Sequence, residues 1–169
     1  MNITSIPYTL CFCIISDSVL LLHRNSNPNQ NLWNGIGGKI EKKETIIESL
    51  SREVKEEANI DLSSAEIDYT GIVCWNTSDK QLSGMYCFIT HLLPDSYFKG
   101  DQLTKEGILS WKKLDWVFDP NNKKVVSNIP KFLSHMLRHG EPHLYTCSYK
   151  NNILEAMNIE ALPKAYYLE

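Results

Sequence analysis

Apolar positions along this chain change their period several times, and each change marks an element. "YTLCFCIIS" (8–16) and "VLLLHR" (19–24) flank Asp17-Ser18, which predicts two strands joined by a tight turn. "NSNPNQN" (25–31) is a polar loop, and the glycines of "WNGIGGKI" (33–40) mark tight backbone beside a short strand. Ile47, Leu50, Val54 and Ala58 then recur at intervals of three and four, the buried stripe of a helix. Thr45 followed by Glu48 forms a capping box at its start, and Asn59 suits a left-handed residue at its end.

Strand patterns return at "EIDYTGIVCWNT" (66–77), "GMYCFITHLL" (84–93) and "ILSWKKL" (108–114), with a polar loop over 95–107. "NKKVVSNIPKFLSHMLRHG" (122–140) predicts a second helix, offset at Pro130. "HLYTCSYK" and "ILEAMNIE", either side of Asn151-Asn152, predict a terminal hairpin. The order β-β-helix-β-β-β-helix favours a mixed α/β sandwich over a doubly wound sheet. Residues 1–140 form the domain, and 141–169 form an extension packed on it.

Charge narrows the partners. A net charge of -3 and a pI near 6.0 carry no basic footprint, so duplex nucleic acid is not expected. The five cysteines are odd in number and include no CxxC pair, which argues against a disulfide framework or a thiolate zinc site. Cys11 and Cys13 alternate in a strand and should share one face as small core residues. The first residues lack the basic start of a signal peptide, and no apolar run could span a bilayer. A cytoplasmic location is expected.

One stretch resists a purely structural reading. "SREVKEEANI" (51–60) places Glu53, Glu56 and Glu57 within an arc of about 100° beside the apolar stripe, at roughly 100° per residue. Like charges at that spacing repel by a few tenths of a kcal/mol per pair. A divalent cation between them would remove the repulsion, and hard ions such as Mg²⁺ favour oxygen ligands together with substrate phosphates. A solvated acidic face is the plainer alternative. Arg52, one turn before Glu56, can hold that carboxylate in place.

The residues upstream decide between them. Gly38, Glu44, Arg52, Glu53, Val54, Glu56, Glu57 and Ile60 stand at the spacing G-x5-E-x7-R-E-U-x-E-E-x-G-U, where U is a bulky aliphatic residue. The stretch therefore resembles the Nudix box, departing from it only at Asn59, where that family has glycine. The resemblance implies an α/β/α sandwich with a mixed sheet and hydrolysis of a nucleoside diphosphate linked to another group. It implies that Glu53, Glu56 and Glu57 ligate Mg²⁺, with Mn²⁺ able to substitute, and that the Gly37 carbonyl joins them. Arg52 would orient Glu53 or its neighbours, Glu44 would hold Arg52 or the loop, Gly38 would allow the turn, and Lys39 would sit near the phosphates.

Outside the box the chain looks like the MutT-type 8-oxo-dGTP diphosphatases. Asn34, after Trp33, matches an asparagine that contacts a purine; capping the turn at Gly35 is its other reading. Glu106, ahead of Trp111, matches a glutamate that joins the metal site or handles the attacking water. Asn122 in "DPNNKKVV" matches a base-reading asparagine, with Asp119 nearby. Adjacent acids used for base recognition in the animal enzymes are absent after Trp116, where Lys123 and Lys124 stand instead. Arg24 could meet a phosphate. His135, His139 and His143 read as a polar face, and Trp75, Trp111 and Trp116 as core or pocket wall. The expected activity is Mg²⁺-dependent cleavage of a nucleoside triphosphate, such as 8-oxo-dGTP, to the monophosphate and pyrophosphate. The alternatives are a hydrolase of ADP-ribose, a nucleotide sugar or a dinucleotide, and a sensor that binds nucleotides without catalysis. Residues 141–169 are left with two roles, covering the pocket or forming a homodimer contact.

Overall fold

The computed structural model describes residues 3, 5–76 and 82–168. One mixed sheet organises them. Its strands are β1 (Ser5–Ile15), β2 (Ser18–Arg24), β3 (Trp33–Asn34), β4 (Ile67–Asn76), β5 (Leu82–His91), β6 (Gln102–Leu103), β7 (Gly107–Lys113), β8 (His143–Lys150) and β9 (Ile153–Ala161). They run in the order β6-β7-β2-β1-β5-β4-β8-β9, with β3 against β2. The β1–β5 and β4–β8 pairs are parallel; the other ladders are antiparallel.

Side chains alternate across this sheet, and two cores follow. Cys11, Cys13, Leu20, Leu22, Phe88 and Leu109 face α1 (Ile46–Ala58), which buries Leu50, Val54 and Ala58 against them. Leu10, Phe12, Ile14, Val19, Leu21 and Val73 face the other way. There they meet α3 (Ile129–Arg138) through Ile129, Phe132, Leu133 and Met136. The α/β/α sandwich is thus present. Burying each large aliphatic chain contributes about 1.5–3 kcal/mol, and Leu50 and Val54 are fully enclosed.

Both caps of α1 form as expected. Thr45 Oγ1 accepts from the Glu48 N–H at 3.2 Å, and Glu48 Oε2 accepts from the Thr45 N–H at 2.7 Å. Asn59 closes the helix at φ 55°, ψ 29°, the left-handed position. A β-branched residue there would be strained by about 1–2 kcal/mol, whereas glycine is free of the strain. Asn59→Gly should leave turnover unchanged and hold or raise the melting temperature, and Asn59→Val should lower it; calorimetry checks both.

The second predicted helix needs correction. Only Ile129–Arg138 is helical, and Pro130 stands in its first turn rather than in its interior. Lacking an N–H, proline suits that position. Residues 122–128 are held instead as irregular backbone: the Trp33 N–H donates to the Lys124 carbonyl at 2.8 Å and the Val126 N–H to the Trp33 carbonyl at 3.0 Å. Leu114, expected to end a strand, begins the short α2 (Leu114–Phe118), and the polar loop over 95–107 contains β6. Position 77 of the strand expected over 66–77 lies outside the described residues. The terminal hairpin forms, and β8 joins the main sheet beside β4. No helix among the described residues is long and apolar enough to cross a membrane.

Candidate active site

The site forms where the segment after β3 returns along β1. The Ile36 and Cys11 backbones exchange hydrogen bonds at 3.0 and 2.7 Å, and the Thr9 N–H donates to the Gly38 carbonyl at 2.9 Å. This lays Gly37 and Gly38 beneath the carboxylate face of α1. A Cβ on Gly37 would strike the Thr9 carbonyl, so the close approach there requires glycine, and one on Gly38 would displace the Glu53 carboxylate.

One guanidinium organises the acids. Arg52 grips Glu44 with two bonds, Nε to Oε2 at 3.0 Å and Nη2 to Oε1 at 2.7 Å. Its Nη1 donates to Glu53 Oε1 at 2.8 Å and to Glu56 Oε2 at 3.4 Å, and its Nη2 also donates to the Lys39 carbonyl at 3.1 Å. Glu44 Oε1 in turn accepts from the Glu41 N–H at 2.6 Å, which ties the loop to the helix. Arginine's planar fork suits this division of labour better than a lysine's point charge. The Arg52 contacts hold Glu44 down to about 2, well below the usual carboxylate range.

Glu57 stands apart from that network. Its Oε2 accepts from the Gly37 N–H at 3.1 Å. Burial, opposed by the Gly37 bond and aided by the charges of Glu53 and Glu106, pushes its carboxyl up to about 7. Burial also raises Glu53, with Arg52 opposing it. Across the cleft, Thr104 Oγ1 accepts from the Glu106 and Gly107 N–H groups at 3.2 Å each, which turns the chain so that Glu106 faces α1. The cleft has a volume of about 780 Å³, and Glu53, Glu56, Glu57, Glu106, Arg24, Gly37 and Gly38 all line it. These residues share the lining of one cleft.

The donor set suits a hard divalent cation. Glu53, Glu56 and Glu57 each spend one oxygen on Arg52 or Gly37, and the other has no partner among the described residues. Their protein contacts leave the three side chains short of a common point, and no His, Cys, Asp or Glu trio among the described residues closes on one. Two half-buried carboxylates without a cation are an electrostatic cost that such an ion would relieve.

A second cavity, of about 1330 Å³, opens on the α3 face and shares Arg24, Gly37 and Gly38 with the cleft. Asn34 and Asn122 line it. Asn34 Oδ1 accepts from the Gly35 N–H at 2.9 Å, the turn-capping bond, which leaves its amide N–H₂ free. Asn122 is engaged at both ends, donating to the Trp116 carbonyl at 2.7 Å and accepting from the Lys124 N–H at 2.9 Å. Lys39 lines neither cavity and contributes its carbonyl to Arg52. Arg24 donates through Nε to the Pro28 carbonyl at 2.7 Å while lining both. Trp75, Met85, Asn128, Tyr149 and Asn152 complete the larger wall. Of these only Trp75 is suggested by sequence, because β8 and α3 reach the cavity through long-range pairing that no local motif announces. His135, His139 and His143 are drawn together as a cluster, the His135–His139 ring centroids 4.1 Å apart.

Comparison with known proteins agrees with this fold. A family model described as NUDIX domain matches residues 6–146. A MutT protein from Bacillus halodurans superposes with a TM-score of 0.71 at 24% identity, over 92% of this chain and 98% of its own. A MutT protein from Methanosarcina mazei Go1 gives 0.63 at 22%, over 82% and 96%. The NUDIX domain of Shewanella oneidensis NrtR, complexed with ADP ribose, gives 0.59 at 17%, over 79% and 89%.

Proposed function

Because the chain belongs to the NUDIX family of hydrolases, we propose that it is a Mg²⁺-dependent pyrophosphohydrolase that converts a nucleoside triphosphate to the monophosphate and pyrophosphate. The carrying observation is the single Arg52 fan that sets Glu44, Glu53 and Glu56 while Glu57 lies on the Gly37 N–H, all facing one cleft. A purely solvated acidic face would leave Glu57 exposed rather than half-buried and would not bind Glu44 bidentately.

Glu53, Glu56 and Glu57 would hold the cation, and Glu106 stands across the cleft from them. The ion supplies charge neutralisation and polarisation of a phosphoryl oxygen. Arg52 keeps the carboxylates pre-set, so little reorganisation accompanies substrate binding. Arg24 lines both cavities and would meet phosphate oxygens where the nucleotide crosses from one to the other. The Glu106 carboxylate makes no hydrogen bond or ion pair among the described residues and can accept the proton of the attacking water. The cavity on the α3 face takes the nucleoside. Asn34 offers it an amide donor, and Asn122 acts by holding the 116–124 loop in shape.

Oxidised purine triphosphates such as 8-oxo-dGTP are the favoured class in this reading. ADP-ribose is the second reading, since the superposable NrtR domain was complexed with it. A panel of dNTPs, 8-oxo-dGTP, ADP-ribose and a nucleotide sugar, with and without Mg²⁺, separates them by product. Pyrophosphate from a triphosphate only with Mg²⁺ is the expected result. AMP and ribose phosphate from ADP-ribose alone would move the assignment to the second reading. No hydrolysis of any member would leave the nucleotide-binding sensor.

A further inference from the structure

His135, His139 and His143 stand outside the site above, since none of them lines the cleft or the larger cavity. His135 lies in the last turn of α3, His139 at its C-cap, and His143 opens β8. The short connection between them bends at Glu141 and brings the three imidazoles onto one another. Ring centroids lie 4.1 Å apart for His135–His139, 4.8 Å for His135–His143 and 6.1 Å for His139–His143. Three imidazoles bonded tetrahedrally to one zinc ion at about 2.0–2.1 Å set their ring centres about 5 Å apart. The cluster therefore has the span of a three-histidine metal site.

Two of the rings are already oriented as ligands. His143 Nδ1 lies 2.7 Å from the Glu141 carbonyl. A carbonyl only accepts, so Nδ1 carries the proton, and in the neutral ring Nε2 keeps its lone pair. His135 Nδ1 lies 3.0 Å from the hydroxyl of the buried Tyr145. With Nδ1 as donor there, its Nε2 is free as well. Metal-bound histidines are ordinarily fixed by such a bond from the second ring nitrogen. Burial, aided by His139 and His143, lowers the His135 pKa and so favours the neutral form that a ligand needs. The neighbouring cation, Arg138, folds back along α3, its Nε donating to the Ser134 carbonyl at 3.0 Å. As they stand the rings stack, and no trio among the described residues closes on a common point. His139 is exposed and its ring makes no hydrogen bond among the described residues, so it alone has to turn.

We propose that His135, His139 and His143 form a second metal site, for a borderline divalent ion of the zinc class, closed when the His139 ring turns toward the other two. Imidazole nitrogen suits Zn²⁺, Cu²⁺ and Ni²⁺, whereas Mg²⁺ prefers oxygen donors like those of the cleft. The five cysteines are buried and offer no competing thiolate. The bound ion ties the end of α3 to the start of β8, and with it the terminal hairpin to the rest of the fold.

Calorimetric titration of Zn²⁺ into tag-free protein, with Mg²⁺ in excess, tests this. One saturable site per chain is expected, weakening as the pH falls below about 6.5 and protons compete for the rings. His139→Ala removes an exposed side chain, and His143→Gln keeps a hydrogen-bonding group beside Glu141. Each should weaken Zn²⁺ binding by about tenfold or more and abolish the Zn²⁺-induced rise in melting temperature. Turnover with Mg²⁺ should stay as in the wild type. Zn²⁺ entering the carboxylate cleft is told apart by its loss in Glu57→Gln, which keeps all three histidines. Absence of binding in the wild type, or equal binding in wild type and both variants, overturns the proposal. Half an ion per chain overturns it too, since the ligands would then come from two copies.

Discussion

Glu57→Gln is expected to abolish turnover while leaving the protein at least as stable as before. The loss should reach about 10³-fold or more in kcat, because the variant removes one of the charges that a phosphate-bound cation needs. The stability result separates a functional carboxylate from a structural one. Burial raises the Glu57 carboxyl from 4.5 to about 7, so the folded protein keeps its proton to higher pH than the unfolded chain does. The stability linked to that proton is full below about 4.5 and is lost as pH rises through about 7. Glutamine carries no such charge. The variant's melting temperature should therefore exceed the wild type's above pH 7 without Mg²⁺, and the difference should shrink toward pH 4–5. Scanning calorimetry across that range, paired with pyrophosphate release, reads both effects. A large fall in melting temperature at pH 8 would show instead that Glu57 is structural.

Arg52→Ala is expected to lose both activity and stability. It strands Glu44 without its two bonds and frees Glu53 and Glu56 from their shared anchor. The expected fall in kcat/KM is about 10²–10³-fold, from misplaced rather than missing carboxylates. The melting temperature should drop by several degrees, since the loop at Glu41–Glu44 and the Lys39 carbonyl lose their tie to α1. Arg52→Lys should rescue little, because an ammonium cannot hold Glu44 bidentately and reach Glu53 at once. Near-full activity in the lysine variant would show that Arg52 supplies charge alone.

These two residues were legible in the sequence for a physical reason. Everything the motif encodes lies on one helix and the loop before it, so spacing translates directly into position. Thr45, Glu48 and Asn59 likewise act on their own helix ends, and their caps form as the local chemistry dictates. The alternation of β1 separates Cys11 and Cys13 from Leu10 and Phe12 without any knowledge of the partners. Legibility stops where distant segments meet. The apolar Val125 and Val126 suggest a helix, yet hydrogen bonds with Trp33 hold that backbone extended, and Pro130 delays α3 to Ile129. Asn122 matches a base-reading position by sequence, and its bonds to the Trp116 carbonyl and the Lys124 N–H, which no motif announces, also shape the loop. Asn128, Tyr149 and Asn152 reach one cavity only through the packing of α3 and the pairing of β8 with β4, which no local pattern announces.

The claim beneath all of this is that one helical turn and a half of acids exists to capture a divalent ion against a pyrophosphate. Anomalous diffraction from crystals grown with Mn²⁺ and a non-hydrolysable nucleoside triphosphate analogue tests it directly. The account predicts a manganese peak bonded to carboxylate oxygens of Glu53, Glu56 and Glu57 and to phosphate oxygens, with the base against Asn34. Bound nucleotide with no ion among those three side chains would contradict it.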